Sequence, residues 1–86
     1  MTCAIRQHDM TLEVVYHSNS FELKTKVCGM INKYDGKILL DSFVDYRCLK
    51  RFMFSMFPDY TKAQQCSDEL VNVLNVKSCN DDCIWI

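Results

Sequence analysis

The chain has 86 residues, 49% of them apolar and 12% aromatic, and a formal net charge of −1. Such a composition excludes the disordered class, and the near-neutral balance excludes a global field that would recruit nucleic acid or an anionic membrane. The length allows one domain, residues 1–86, which buries roughly 60–65% of its unfolded surface.

Met1 to Met10 contain one Arg and no apolar run of the signal-peptide kind, and no run approaches the ~20 residues of a membrane span. The expectation is a cytoplasmic protein without membrane association. Six cysteines, Cys3, Cys28, Cys48, Cys66, Cys79 and Cys83, are scattered without a C-x-x-C pair. In a reducing compartment they read as free thiols serving as small apolar residues.

In chain order, Leu12, Val14 and Tyr16 alternate with Thr11, Glu13 and His17. Phe21, Leu23, Thr25 and Val27 then alternate with Glu22, Lys24 and Lys26. A two-residue turn at Asn19-Ser20 would pair Tyr16 with Leu23 and Leu12 with Val27 on one face, and Glu13 with Lys26 and His17 with Glu22 on the other. Asp35-Gly36 is a type I′ hairpin signal that sets Ile31 against Leu40 and Lys33 against Ile38. The pattern predicts a three-stranded antiparallel meander over about 10–17, 21–31 and 37–41.

The period then lengthens to 3.6. Ser42 followed three residues later by Asp45 has the form of a capping box, and Tyr46, Cys48, Leu49, Phe52, Met53, Met56 and Phe57 fall on one helical arc, with Ser55 opposite. A helix over about 43–57 is expected to stop at Pro58. Thr61 and Gln64 suggest a second cap, followed by a helix over about 61–74 with Ala63, Cys66, Leu70, Val73 and Leu74 inside. Trp85 between two isoleucines suggests a short C-terminal strand beyond a turn at Asn80-Asp81-Asp82. The predicted fold is α+β, with both helices packed on one face of the sheet.

The residues offer little chemistry. Only His8 and His17 could serve a nucleophilic cysteine, and no phosphate loop, nucleophile elbow or H-E-x-x-H motif is present, so the chain is not read as an enzyme. Cys79 and Cys83, with Cys3 and His8, have partial zinc-ligand spacing, but the second pair is not a knuckle. Incidental thiols are therefore preferred to zinc or a disulfide, and no metal or cofactor is assigned.

The most suggestive surface is the basic side of the first predicted helix, where Phe54 lies amid Arg47, Lys50 and Arg51. An aromatic ringed by cations suits a protein interface, and it also suits a phosphate backbone with a stacked base. The plainer reading is that the tail folds over Phe54. Met30 and Leu39 form a second, apolar cluster on the outer face of the meander, which could be covered by the N-terminal segment or form a homodimer contact. The expected function is a non-enzymatic protein-binding module that occludes a surface of a larger partner. In size and element layout it is comparable to phage-encoded inhibitors of host machinery such as anti-CRISPR proteins. The alternatives are a small nucleic-acid-binding regulator using Arg47, Lys50, Arg51 and Phe54, and a zinc- or redox-linked protein built on Cys79 and Cys83.

Overall fold

A computed structural model describes residues 2–17, 21–75, 78–79 and 84–85. In chain order the elements are β1 (Thr2–Cys3), β2 (Ile5–His8), β3 (Thr11–His17), α1 (Phe21–Lys33), β4 (Lys37–Asp45), β5 (Lys50–Met56), α2 (Tyr60–Leu74), β6 (Ser78–Cys79) and β7 (Ile84–Trp85). The main sheet runs β4-β5-β3-β2-β6, and β1 pairs with β7 separately. β4, β5, β3 and β2 form four antiparallel strands, while β6 joins β2 in parallel.

One face of the sheet and both helices share a single core. Ile5, Leu12, Val14, Tyr16 and Met53 meet Val27 and Ile31 of α1 and Ala63, Cys66 and Leu70 of α2. These side chains are 0–6% exposed, so the burial that holds the fold is concentrated between the two layers. The α+β class, with two helices on one sheet face, follows the sequence reading. The elements that fill it differ.

The first strand stands at residues 11–17, with Leu12, Val14 and Tyr16 inward as expected. The expected second strand, 21–31, is helix α1. Leu23, Val27 and Ile31 are four residues apart, a spacing that suits both a period of two and one of 3.6, so the inward set alone cannot choose. Phe21 and Thr25 decide it: both belong to the inner row of a strand, yet both are exposed here, Phe21 at 83%. The Asn19-Ser20 turn lies outside the described residues.

Asp35-Gly36 also does different work. Gly36 N–H donates to Ile31 O at 2.8 Å and Asp35 N–H to Asn32 O at 3.0 Å, while Asp35 sits at φ 62°. That is the Schellman end of a helix, with the left-handed position taken by Asp. No meander therefore joins 21–31 to 37–41.

The expected helix 43–57 is replaced by the hairpin β4–β5. Met53, Ser55 and Phe57 are buried at 0%, 0% and 3%, a period of two that a helical wheel cannot produce. Ser55, assigned to the outer side of that helix, is inward, and its hydroxyl donates to Leu12 O at 3.4 Å. The Ser42/Asp45 capping box lies in a strand. Asp45 instead accepts from the N–H groups of Arg47 (2.9 Å) and Cys48 (3.3 Å), closing the 46–49 turn in which Leu49 has φ 57°.

The second helix stands at 60–74, but its cap is Asp59, whose carboxylate accepts from Lys62 N–H at 2.8 Å, rather than Thr61. Ala63, Cys66 and Leu70 are inward as expected and Val73 is 37% exposed. A short C-terminal strand, β7, is present but pairs with β1 instead of the main sheet, which takes β6. The Asn80-Asp81-Asp82 turn lies outside the described residues.

Candidate functional site

With both helices on one face, the opposite face of the sheet and the β4–β5 hairpin are the surfaces left to act. β5 presents Phe52, Phe54 and Met56 to the outer face by alternation with inward Met53 and Ser55. Cross-strand pairing then builds rows. Arg6 of β2, Glu13 of β3 and Phe54 of β5 lie side by side, and in the next row His8, Thr11 and Met56 do the same. The two rows border a recess of about 460 Å³ lined by Arg6, Gln7, His8, Thr11, Glu13 and Phe54. Arg6 and Glu13 face each other at 3.9 Å with about a third of each side chain exposed. Further along the same face Val15 is only 2% exposed, so both faces of β3 are covered at that end and the open region centres on Phe54.

The β4–β5 hairpin is the second surface. β4 is the outermost strand, and its register slips between Ile38 and Leu40 and again between Phe43 and Asp45. Each slip everts a residue, Leu39 in one case and Val44 in the other, because the extra residue of a bulge is left out of the ladder. Leu39 is 49% and Val44 54% exposed, and Tyr46 in the turn 77%. The Tyr46 ring leans on Phe43 at 5.2 Å between centroids. Phe43 in turn lies under the Arg51 guanidinium, 4.5 Å from its ring centre.

A polar cluster anchors this hairpin to the layer beneath. Arg51 Nη1 donates to Asp41 Oδ1 at 2.6 Å, and Lys24 of α1 reaches the other carboxylate oxygen at 3.9 Å. Burial, with the Asp41 charge beside it, pushes the Tyr16 phenol up to about 12, against a smaller opposing pull from Arg51. Between the helices, Glu69 accepts from the Tyr34 hydroxyl and from Lys33 Nζ (3.0 Å), which holds its carboxyl below the usual range. These groups are tied to one another by ion pairs and hydrogen bonds that join the sheet to α1 and α1 to α2, which is a structural role.

The strand geometry takes apart the basic–aromatic patch expected on a helix. Lys50 and Phe54 share the outer face of β5, roughly 13 Å apart along the strand. Arg51 points to the opposite face, where it meets Asp41. Arg47 lies in the turn with its side chain 94% exposed, 3.8 Å from Asp45. Phe54 is partly buried. Met30 is on α1 and packs against the core, while Leu39 is on the edge strand, so the outer-face cluster expected of these two does not form.

Among the cysteines, Cys66 is buried, Cys28 half-buried and Cys48 exposed. Cys83 and the side chains of Cys3 and Cys79 lie outside the described residues. Among the described residues no three His, Cys, Asp or Glu side chains gather to hold a metal ion, and no helix is long and apolar enough to cross a membrane.

Sequence reasoning missed Arg6, His8, Thr11 and Glu13 as a group. Ile5 to His8 holds a single apolar residue and shows no alternation, so no local pattern announced a strand paired with β3. In comparisons with known proteins, the chain matches no family model, no curated protein and no solved structure.

Proposed function

We propose that the chain is a non-enzymatic protein-binding module that docks through the β4–β5 hairpin and occludes a surface of a larger partner in the cytoplasm. The observation that carries this reading is where the apolar surface lies. Among the described residues ten large hydrophobic side chains are exposed, and six of them belong to this one hairpin: Leu39, Leu40, Val44, Tyr46, Leu49 and Met56. Scattered exposed hydrophobes need no explanation, whereas a concentration on the edge hairpin of the sheet marks a contact surface. The edge of β4 adds unpaired main-chain donors and acceptors, which an incoming strand can use. β5 is paired with β3 along its whole length and the Asp41–Arg51 ion pair braces the two strands of the hairpin, so the surface is preorganised. An inhibitory role by occlusion, of the kind phage-encoded proteins exert on host machinery, fits a small body that carries a docking surface.

The test is affinity capture from host lysate, identification of the partner, and titration of the purified pair. Val44→Asp and Tyr46→Asp should each weaken binding about 30-fold or more, the range of interface hot spots, with unchanged thermal stability. Failure of the wild-type chain to capture a partner, or wild-type affinity in both variants, would overturn hairpin docking.

A further inference from the structure

Formal charge divides the chain along the order of its strands. Residues 21–56 hold seven cations against the four carboxylates of Glu22, Asp35, Asp41 and Asp45, a net of +3. The remaining residues hold three cations against seven carboxylates, a net of −4, and the two parts make the −1 of the whole chain. The positive segment is α1, β4 and β5, which share one side of the sheet order, with Lys24 of α1 reaching Asp41 of β4. β3 and β2, with α2 packed on them, take the other side. The longest extent of the molecule is 35 Å, several times the ~8 Å over which a charge is felt at physiological salt. A partner approaching the hairpin therefore meets a positive field although the chain as a whole is negative.

The exposed apolar surface is divided the same way. Of the ten exposed large hydrophobic side chains among the described residues, seven lie in 21–56, Phe21 of α1 joining the six of the hairpin. Resting on hairpin docking, we propose that the partner offers an acidic protein surface, an apolar patch flanked by Asp and Glu side chains. Charge steers that surface onto the α1–β4–β5 half, and apolar contact holds it there. Steering of this kind acts on the association rate and on the choice of partner more than on final affinity. A phosphate backbone would answer the cations but leave the seven apolar side chains without a counterpart. A second copy of the chain would have to offer its acidic half, head to tail. Among the described residues that half carries only Met10, Tyr60 and Val73 of the exposed set, too few to cover the hairpin.

The full chain is titrated at neutral pH, by biolayer interferometry, against immobilised poly-L-glutamate, a random Glu–Tyr copolymer and duplex DNA, with salt from about 0.05 to 0.5 M. Saturable binding to both polypeptides is expected at the lowest salt, tighter for the copolymer, and weaker by about tenfold or more at the highest. Lys26→Glu, Lys37→Glu and Arg47→Glu combined, all at exposed positions, turn the net charge of residues 21–56 from +3 to −3. They should weaken binding about tenfold or more at low salt without changing thermal unfolding. If the triple variant does not fold, Arg47→Glu alone, at a side chain 94% exposed, should still weaken binding about threefold. Asp68→Lys, which adds positive charge on the far half, should leave affinity within about twofold. The proposal is overturned by absence of binding to either polypeptide, or by wild-type affinity in the charge variants. Tighter binding of duplex DNA than of the copolymer at about 0.15 M salt would overturn it, as would oligomers of the chain alone in sedimentation at low salt. With the purified partner, loss of binding in Tyr46→Asp beside an association rate unaffected by Arg47→Glu would sink the acidic surface alone. Wild-type affinity in both Val44→Asp and Tyr46→Asp would sink hairpin docking itself.

Discussion

The two glycines provide a matched perturbation, since the same change, Gly to Ala, is expected to have opposite signs at the two positions. A Cβ built on Gly36 lies 2.5 Å from Phe57 Cε2, 2.8 Å from Phe57 Cζ and 2.7 Å from Ile31 Cγ2. Phe57 and Ile31 are 3% and 0% exposed, so neither can swing aside into solvent. The backbone at Gly36 is not left-handed, so crowding rather than conformational freedom demands the glycine. Overpacking of this kind costs about 1–3 kcal/mol, partly offset by the ~0.4–1 kcal/mol that the lost chain entropy of the unfolded state returns. A net loss of about 1–2 kcal/mol should lower Tm by about 4–16 °C in a domain of this size. Gly29, in the middle of α1, has nothing within 4 Å of the equivalent position. Gly29→Ala should therefore add about 0.5–1 kcal/mol, since alanine stiffens the unfolded chain and favours helix. Urea unfolding followed by far-ultraviolet circular dichroism gives both values from midpoints at constant slope. Gly29→Ala lowering stability would refute a helix over 21–33, and Gly36→Ala raising it would refute the close packing of Phe57 on the helix end.

Two further perturbations address the hairpin and the thiols. Met53→Ala, at a fully buried position, should cost about 2–5 kcal/mol in urea unfolding, whereas Met56→Ala, at a 45% exposed one, should stay within about 0.5 kcal/mol; similar losses at both would contradict the strand alternation. Burial, with Glu69 beside it, pushes the Cys66 thiol up to about 12, so mass mapping after a maleimide pulse at neutral pH should find Cys48 modified and Cys66 unmodified until the chain is unfolded. Modification of Cys66 in the folded protein at a rate near that of Cys48 would contradict its placement in the core.

The sequence disclosed the fold class, the strand at 11–17, the helix at 60–74 and the first half of β4 at 37–41, and the reason the others escaped is physical. Residues 11–17 and 60–74 each carry one unambiguous period. In 21–33 the inward set Leu23, Val27 and Ile31 recurs at four, which both periods accept, and the polar residues between them were compatible with an outward strand face. In 50–56 the alternation of Met53 and Ser55 was hidden because one buried position is a serine, while methionine and phenylalanine on both faces filled a helical arc. Asp35-Gly36 carries the same letters whether it ends a helix or turns a hairpin, and only the partners of its N–H groups distinguish the two. The site suffered from the same ambiguity. Arg47, Lys50, Arg51 and Phe54 converge on a helical wheel, but a strand sends Arg51 and Phe54 to opposite faces. Arg6, Glu13 and Phe54 become neighbours through two strand pairings, one of which spans some forty residues of chain, and no local pattern carries that.

The position of β5 between β3 and β4 governs the order in which the molecule can assemble. β3 and β4 are consecutive strands in the chain apart from α1, yet they are not paired with each other; each is hydrogen-bonded to β5, which comes after both. A nascent chain that has reached only Asp45 can form its first helix and the β2–β3 hairpin, but the edge that will receive β4 does not exist. Closure waits for Lys50–Met56 to slot into the gap, and that insertion has to bring residues 11 and 56 together before its contacts return any free energy. Folding on a time scale slower than that of a helical bundle of equal length follows from this single intercalated strand.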